Sequence, residues 1–316
     1  MTVAPSARPV LNVYDIAQGT KCRYNRAMPT NDQPAARPIT RLIAPRLALA
    51  SCVRAFLVRD TTGCAPLTPA QRLNRFPAAP MCSVVWTISG ELEAAAPGLT
   101  LADVRMPPVL FGGPRSLPLV SYNPGPVHSF VLMFYPSALH ALTGIAMGPL
   151  LDQFELFEAL FDAEWQALSQ AVLAAPDDEA RVALVENFLA PRWKVARQRD
   201  DQPATAIHDW VRRLGVQAAS NGLASGARNI ERRIKTWAGQ PMRTLLRMRR
   251  AEQLFLNERD AMLKGNISWS DIAAQGGYAD QAHFCREVRD ITGLSPTELA
   301  RASRDDESYW IYRIWS

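Results

Sequence analysis

Apolar positions in the last third of the chain recur with the period of a helix. Ile207, Trp210, Val211 and Leu214 fall at i, i+3, i+4 and i+7, one apolar stripe, and Val216 to Leu223 reads as a short second helix. Ile230, Ile234 and Trp237 form the stripe of a third, with Gly239 just past its end. Pro241 then opens a long helix to about Glu258, with Leu245, Met248, Ala251 and Leu254 facing inward. Ser268 and Asp271 have capping-box spacing and open a helix that Gly277 breaks. Asp280 is placed to cap the next, where Phe284, Val288 and Ile291 make the buried face and Gly293 the end. Ser295-Pro296-Thr297-Glu298 is a full capping box, so one more helix follows. Helix, turn, helix therefore occurs twice, around Val216–Trp237 and around Asp271–Ile291, joined by the long helix.

Ahead of this block the pattern changes. From about Ile39 to Tyr135 short apolar runs are broken by Pro and Gly, as in Val84-Val85-Trp86-Thr87-Ile88 before Ser89-Gly90. Leu117 to Tyr122 and Val127 to Tyr135 read as two strands around Asn123-Pro124-Gly125-Pro126, and strands at this spacing predict a small sandwich or barrel. Between Pro136 and about Trp193, Leu150, Phe154, Phe157, Leu160, Phe161, Leu168 and Val172 follow helical spacing. The expected organisation is a poorly ordered Pro- and Ala-rich arm over 1–37, a strand-then-helix domain over 38–195, a polar linker over 196–204 and a helical domain over 205–316. A length of 316 residues agrees with about two domains.

Composition narrows the class. Apolar residues make up 48% and charged residues 21%, the profile of a folded chain. No apolar run approaches the ~18 residues of a membrane span. Met1 to Thr20 lacks the apolar core of a signal peptide. The five cysteines show no CxxC pair, so a cytoplasmic protein with reduced thiols and no membrane partner is expected. The net charge of +5 says little until it is located: Val211–Arg250 holds ten basic residues and one acid, Glu231, a local excess of 10 − 1 = +9. Such a concentration is the footprint of a polyanionic partner.

The spacing of the second helical unit is specific. Ile272-Ala273, Gly277-Tyr278, Asp280-Gln281-Ala282-His283-Phe284, Arg286 and Gly293-Leu294-Ser295-Pro296 together resemble the C-terminal signature of the AraC/XylS family of bacterial transcription regulators. The resemblance extends back through Arg228 to Ile234, Gly239 and Arg247 to Ala251, and covers about Thr205 to Ala300. It departs at Ala224 and Gly226, where the family has Gly and Ser. It implies an α+β chain, with an N-terminal small β-barrel or sandwich (cupin-like) followed by helices, then an all-α double helix-turn-helix domain. A rigid long helix would hold two recognition helices, about Ala227–Trp237 and Asp280–Asp290, in successive major grooves about 34 Å apart.

Carried over by position, base contacts fall to Arg228, Glu231 and Arg232 in the first helix and to Gln281, Ala282, Cys285 and Arg286 in the second. The chemistry suits them: Arg bonds guanine bidentately, Gln adenine, Glu accepts from cytosine, and an Ala methyl meets that of thymine. Arg233, Lys235 and Arg243 are expected on phosphates, which set register without reading sequence. Arg247, inside the long helix, has an internal ion pair as its equal alternative. His283 reads as structural. The implied partners are double-stranded DNA, a small-molecule effector or second copy at the N-terminal domain, and RNA polymerase if the regulator is an activator.

Catalysis is not expected, and no cofactor is implied. Before the linker lie His128 and His140 alone of the histidines, and Phe111-Gly112-Gly113-Pro114 reads as a Pro-bounded turn, not a dinucleotide loop. The alternative reading is a DNA module fused to a small-molecule enzyme or to a zinc-cysteine methyl-transfer domain. The second of these would need Cys22, Cys52, Cys64 and Cys82 as zinc ligands, at spacings unlike zinc pairs. The apolar run Tyr309-Trp310-Ile311-Tyr312, with Ile314 and Trp315, is expected to dock on the N-terminal domain or on another subunit.

Overall fold

Alternation of period two builds the front half. In β4 (Cys82–Ser89), Cys82, Val84 and Trp86 point one way and are buried, and in β8 (His128–Phe134) Phe130, Leu132 and Phe134 do the same. These strands pair antiparallel with Val84 opposite Leu132. With β1 (Ile39–Ile43), β2 (Val53–Asp60), β6 (Val109–Gly112) and β9 (Phe154–Leu156) they form a six-stranded antiparallel sheet in the order β1-β2-β8-β4-β6-β9. A second sheet, β3-β7-β5, is made from β3 (Leu73–Phe76), β5 (Glu93–Ala94) and β7 (Leu119–Tyr122). The fold is thus an open sandwich, and the two strands read around Asn123–Pro126 belong to different sheets.

The computed structural model describes residues 37–94, 106–197, 207–220, 227–264 and 268–314. The expected arm up to residue 36, residues 198–204 of the expected linker, and Ala224 and Gly226 lie outside the described residues.

Helices cover the sheet on both faces. After α1 (Pro136–Thr143) and the short α2 (Phe157–Leu160), α3 (Ala163–Ala174) and α4 (Asp178–Ala196) pack on the face that carries Trp86 and Phe134. The Trp86 indole N–H donates to Ser169 Oγ at 2.8 Å, and Phe134 meets Trp165 edge-on at 6.2 Å. The block after Pro136 is not wholly helical. Phe154–Leu156 adds an edge strand to β6, because its backbone meets an open sheet edge that side-chain spacing alone does not reveal. Gly112 and Gly113, read as a turn, lie at that β6 edge. A Cβ on Gly113 would fall 1.8 Å from the Leu150 carbonyl oxygen.

The helical domain comprises α5 (Ile207–Ser220), α6 (Ala227–Ala238), α7 (Met242–Lys264), α8 (Trp269–Gln275), α9 (Gln281–Thr292), α10 (Pro296–Asp305) and a last turn, α11 (Ile311–Ile314). The expected separate helix from Val216 is absent, and α5 runs on through Val216 to Ser220. The apolar stripe explains this: Trp210, Val211 and Leu214 continue to Ala218, one helical turn further and fully buried. These residues, with Ile234, Ala238 and Leu245, share one continuous core with Phe130 and Trp165 of the front half.

Candidate nucleic-acid interface

The second helix-turn-helix unit is set by its caps. The Ser268 hydroxyl accepts from the Asp271 amide at 3.4 Å to start α8, and Asp280 accepts from the His283 amide at 2.6 Å to start α9. Gly277 joins them at φ +69°, a left-handed conformation that glycine adopts without a Cβ penalty. Phe284 and Ile291 are buried, while Gln281, Ala282 and Arg286 are exposed on the opposite face and Cys285 is half-buried. The inward face also carries a charge that its sequence position did not disclose. Glu287 is buried, accepting from the Tyr278 hydroxyl at 2.6 Å and from Arg250 of α7 at 3.0 Å. Burial, then this carboxylate, pushes the Tyr278 phenol up, so it stays a protonated donor. The His283 ring lies edge-on to Tyr278 at 5.3 Å, a packing role.

In the first unit, Ile234 and Ala238 of α6 are buried, with Ile230 and Trp237 packed partly buried beside them. Arg228, Arg232 and Lys235 fall at i, i+4 and i+7 on the far side and are exposed; Glu231 beside them is half-buried. Arg233, expected on a phosphate, sits off that stripe and donates to the Ala218 carbonyl of α5 at 3.2 Å. Arg243 is exposed near the start of α7. Arg247 pairs with Asp290 at 3.3 Å, linking α7 to α9. The local positive excess is therefore divided: Arg247 and Arg250 tie helices together, whereas Arg212, Arg228, Arg232, Lys235 and Arg243 face solvent.

The front half holds α6 and α9 by their C-terminal ends. The Met147 amide donates to the Thr236 carbonyl at 2.8 Å, and the Ala78 amide donates to the Ile291 carbonyl at 2.7 Å. Gly239, which ends α6 at φ +76°, lies so close that a Cβ would come 3.0 Å from the Met147 carbonyl oxygen. These contacts leave the exposed N-terminal halves of α6 and α9 clear.

The aromatic tail docks on the sheets of its own chain. The Trp310 indole N–H donates to Asn74 Oδ1 at 2.9 Å, and the ring meets Phe76 edge-on at 5.7 Å. Arg59 of β2 lies 4.9 Å over the Trp310 ring and pairs with Glu307 at 2.7 Å. Between this tail, α7, α9 and the second face of the large sheet lies a cavity of about 300 Å³. Val85, Val131, Met133, Phe255 and Ile291 contribute to its wall. At its polar end Arg115 packs 5.3 Å over the Phe154 ring with its Nε 3.7 Å from Asp152. Burial lowers the Arg115 pKa against the opposing pull of Asp152, and its Nη1 has no hydrogen-bond partner among the described residues.

No sequence signal marked Glu287, Arg115 or this cavity, since each depends on packing between distant segments. Among the described residues no group of three or more His, Cys, Asp or Glu is placed to hold a metal ion. Cys52 and Cys82 are buried, Cys64 is half-buried, and Cys22 lies outside the described residues. No helix among the described residues is long and apolar enough to cross a membrane.

Residues 219–302 match the family model of a helix-turn-helix domain, and this segment is a helix-turn-helix domain of the AraC type. No curated protein matches the chain. Among solved structures, the chain is similar to ToxT from Vibrio cholerae at 12% identity, over 72% of this chain and 96% of that one, with a TM-score of 0.34. ToxT of V. cholerae O395 bound to (E)-4-(8-methylnaphthalen-1-yl)but-3-enoic acid matches at 14% identity over 73% and 97%, with a TM-score of 0.33. Unsaturated fatty acid bound ToxT of V. cholerae strain SCE256 matches at 12% identity over 78% and 94%, with a TM-score of 0.33.

Proposed function

We propose that this protein is a sequence-specific, DNA-binding transcription regulator without catalytic activity, acting in the cytoplasm. The observation that carries this reading is the pair of outward stripes, Arg228–Arg232–Lys235 on α6 and Ala282–Arg286 on α9, in an AraC-type module with the N-terminal halves of both helices uncovered. Arg228, Glu231, Arg232, Gln281, Ala282, Cys285 and Arg286 meet base edges in two adjacent major grooves. Lys235 and Arg243 hold phosphates, and Arg233 braces α6 from behind. The front half carries the control: its central cavity accepts an apolar small molecule whose anionic end pairs with Arg115. Such a ligand would touch the large sheet, α9 and the tail together, and so bias the seating of the second recognition helix. RNA polymerase is a partner if the regulator activates, and a second copy of the chain binds through the front half.

Selection of bound sequences from a random duplex pool by the full chain tests this. The expected result is an enriched site with two half-sites about 10 base pairs apart, bound more weakly as salt rises. A pool that stays random after selection would overturn the reading.

A further inference from the structure

Helix α7 packs against both α6 and α9, and the front half links the same two helices a second time at their C-terminal ends. The link is a relay of backbone hydrogen bonds joined by short covalent steps. The Met147 amide donates to the Thr236 carbonyl of α6, and Met147 opens the turn Gly148–Leu150 that leads to Asp152. The Asp152 amide donates to the Pro114 carbonyl at 2.8 Å, and the Arg115 amide donates to the Ala79 carbonyl at 2.8 Å. One residue back, the Ala78 amide donates to the Ile291 carbonyl of α9. Gln240, fully buried just past α6, joins the relay midway by donating its Nε2 to the Arg115 carbonyl at 3.4 Å. Asp152 stands at the centre. Its φ of +59° is the one positive value among the described residues other than glycine, a conformation that a Cβ makes costly and that the surroundings must impose. From there its carboxylate holds the neighbouring loop: Oδ1 accepts from the Ser116 amide at 2.8 Å and the Leu117 amide at 3.3 Å, and Oδ2 accepts from the Ser116 hydroxyl.

We propose that Asp152 is a positioning residue that fixes the twist between α6 and α9, and thereby sets which half-site spacing the protein accepts on DNA. The cause lies in the relay, and the consequence rests on the DNA-binding reading above. A single bar such as α7 fixes how far apart two attached helices lie, while rotation about the bar is opposed only by side-chain packing. A tie at a second place removes that rotation. On B-DNA spacing and twist are one quantity, because about 10–10.5 base pairs make a turn and each pair rotates the next half-site by about 35°. An added base pair therefore asks α9 to swing by about 35° relative to α6. Hydrogen bonds are directional and weaken steeply when bent, so a swing of that size breaks the relay instead of stretching it. Asp152 controls the relay because its left-handed backbone aims the amide at Pro114 while the carboxylate grips Ser116 and Leu117. Without that grip, residues 114–117 are free to shift against Leu151–Asp152, and the two helices turn independently.

Two variants of the full chain test it. Asp152→Gly keeps the left-handed backbone without a Cβ and deletes the carboxylate; Asp152→Asn keeps the backbone preference and an oxygen for both amides. Binding is measured on duplexes carrying the selected half-sites about 10 or about 12 base pairs apart, and on one half-site alone. The parent should prefer the shorter spacing. Asp152→Gly should shrink that preference by about fivefold or more, with affinity for the single half-site held within about twofold. Asp152→Asn should keep the parent's preference. Hydrogen exchange without DNA is the second readout: the Met147 and Ala78 amides should exchange about tenfold or more faster in Asp152→Gly, and at parent rates in Asp152→Asn. A pool that stays random after selection would remove the DNA-binding reading, and exchange would still decide whether Asp152 holds the link. Four results would overturn the proposal: an unchanged spacing preference in Asp152→Gly, unchanged protection of both amides, failure of Asp152→Gly to fold, or Asp152→Asn behaving as Asp152→Gly does.

Discussion

The Trp310 indole donates to the Asn74 side-chain oxygen at 2.9 Å, joining residues 236 positions apart. Asn74 in turn donates to Asn123 at 2.7 Å and to Ser121 at 3.2 Å, so its amide is oriented from the sheet side as well. The last residues of the DNA-binding half are thereby seated on the front half, and one wall of the central cavity is made from them.

Removing that seat should loosen the whole chain. Trp310→Ala removes a buried indole and should destabilise by about 3–5 kcal/mol. Trp310→Phe keeps most of the volume but strands the Asn74 oxygen, and should cost about 1–3 kcal/mol. Chemical unfolding of both variants checks the order; equal stability of Trp310→Ala and the parent would refute the docking.

On DNA, reading and holding should separate. Arg232→Ala should cost about 1–3 kcal/mol on the selected site and relax preference at one base position. Lys235→Ala should weaken all sequences alike and lower the log–log salt slope by about one. Binding isotherms on selected and random duplexes at several salt concentrations distinguish the two. An Arg232→Ala variant that lost affinity equally on both would not be a base reader.

Glu287 anchors α9 from within, so its replacement should act through fold rather than contact. Glu287→Ala leaves Arg250 and the Tyr278 hydroxyl without their acceptor and should destabilise by about 3 kcal/mol. Hydrogen exchange should localise the loosening to α8 and α9, and DNA affinity should fall with it. Protection unchanged in these helices would show that Glu287 is dispensable there.

Acid stability should depend on Asp178. Burial pushes its carboxyl up, but the hydrogen bond from Arg41, the neighbouring His128 and the bond from Arg181 outweigh that, and its pKa lies below the ordinary value. The native state then binds fewer protons than the unfolded chain as pH falls. The stabilisation is therefore complete above the unfolded-chain value of about 3.9, and is lost as pH drops through the lower native value. Asp178→Asn should be less stable at neutral pH and show a shallower acid limb than the parent; parallel acid limbs would count against the network.

The local grammar of the helical domain was legible in the chain itself. Ser268, Asp280 and Ser295 cap the helices they were expected to cap, and Gly239 and Gly293 end theirs with positive φ, because a cap is written within four residues of its helix. The spaced signature from Arg228 to Pro296 pointed to the AraC-type domain for the same reason: its positions are internal to one small module. Where side-chain periodicity was the sole guide it misplaced Phe154–Leu156, which pairs as a strand, and divided α5 at Val216. Tertiary contact alone decided which faces the arginines use. Arg232 and Arg233 are neighbours in sequence, yet one faces solvent and the other bonds the Ala218 carbonyl. It also decided that Leu57 and Val58, adjacent in β2, bury into different clusters, one under the tail and one under α3 and α4. A two-residue period tells that a strand has two faces. What covers each face, and whether a cavity is left between, depends on where chain segments hundreds of residues away come to rest.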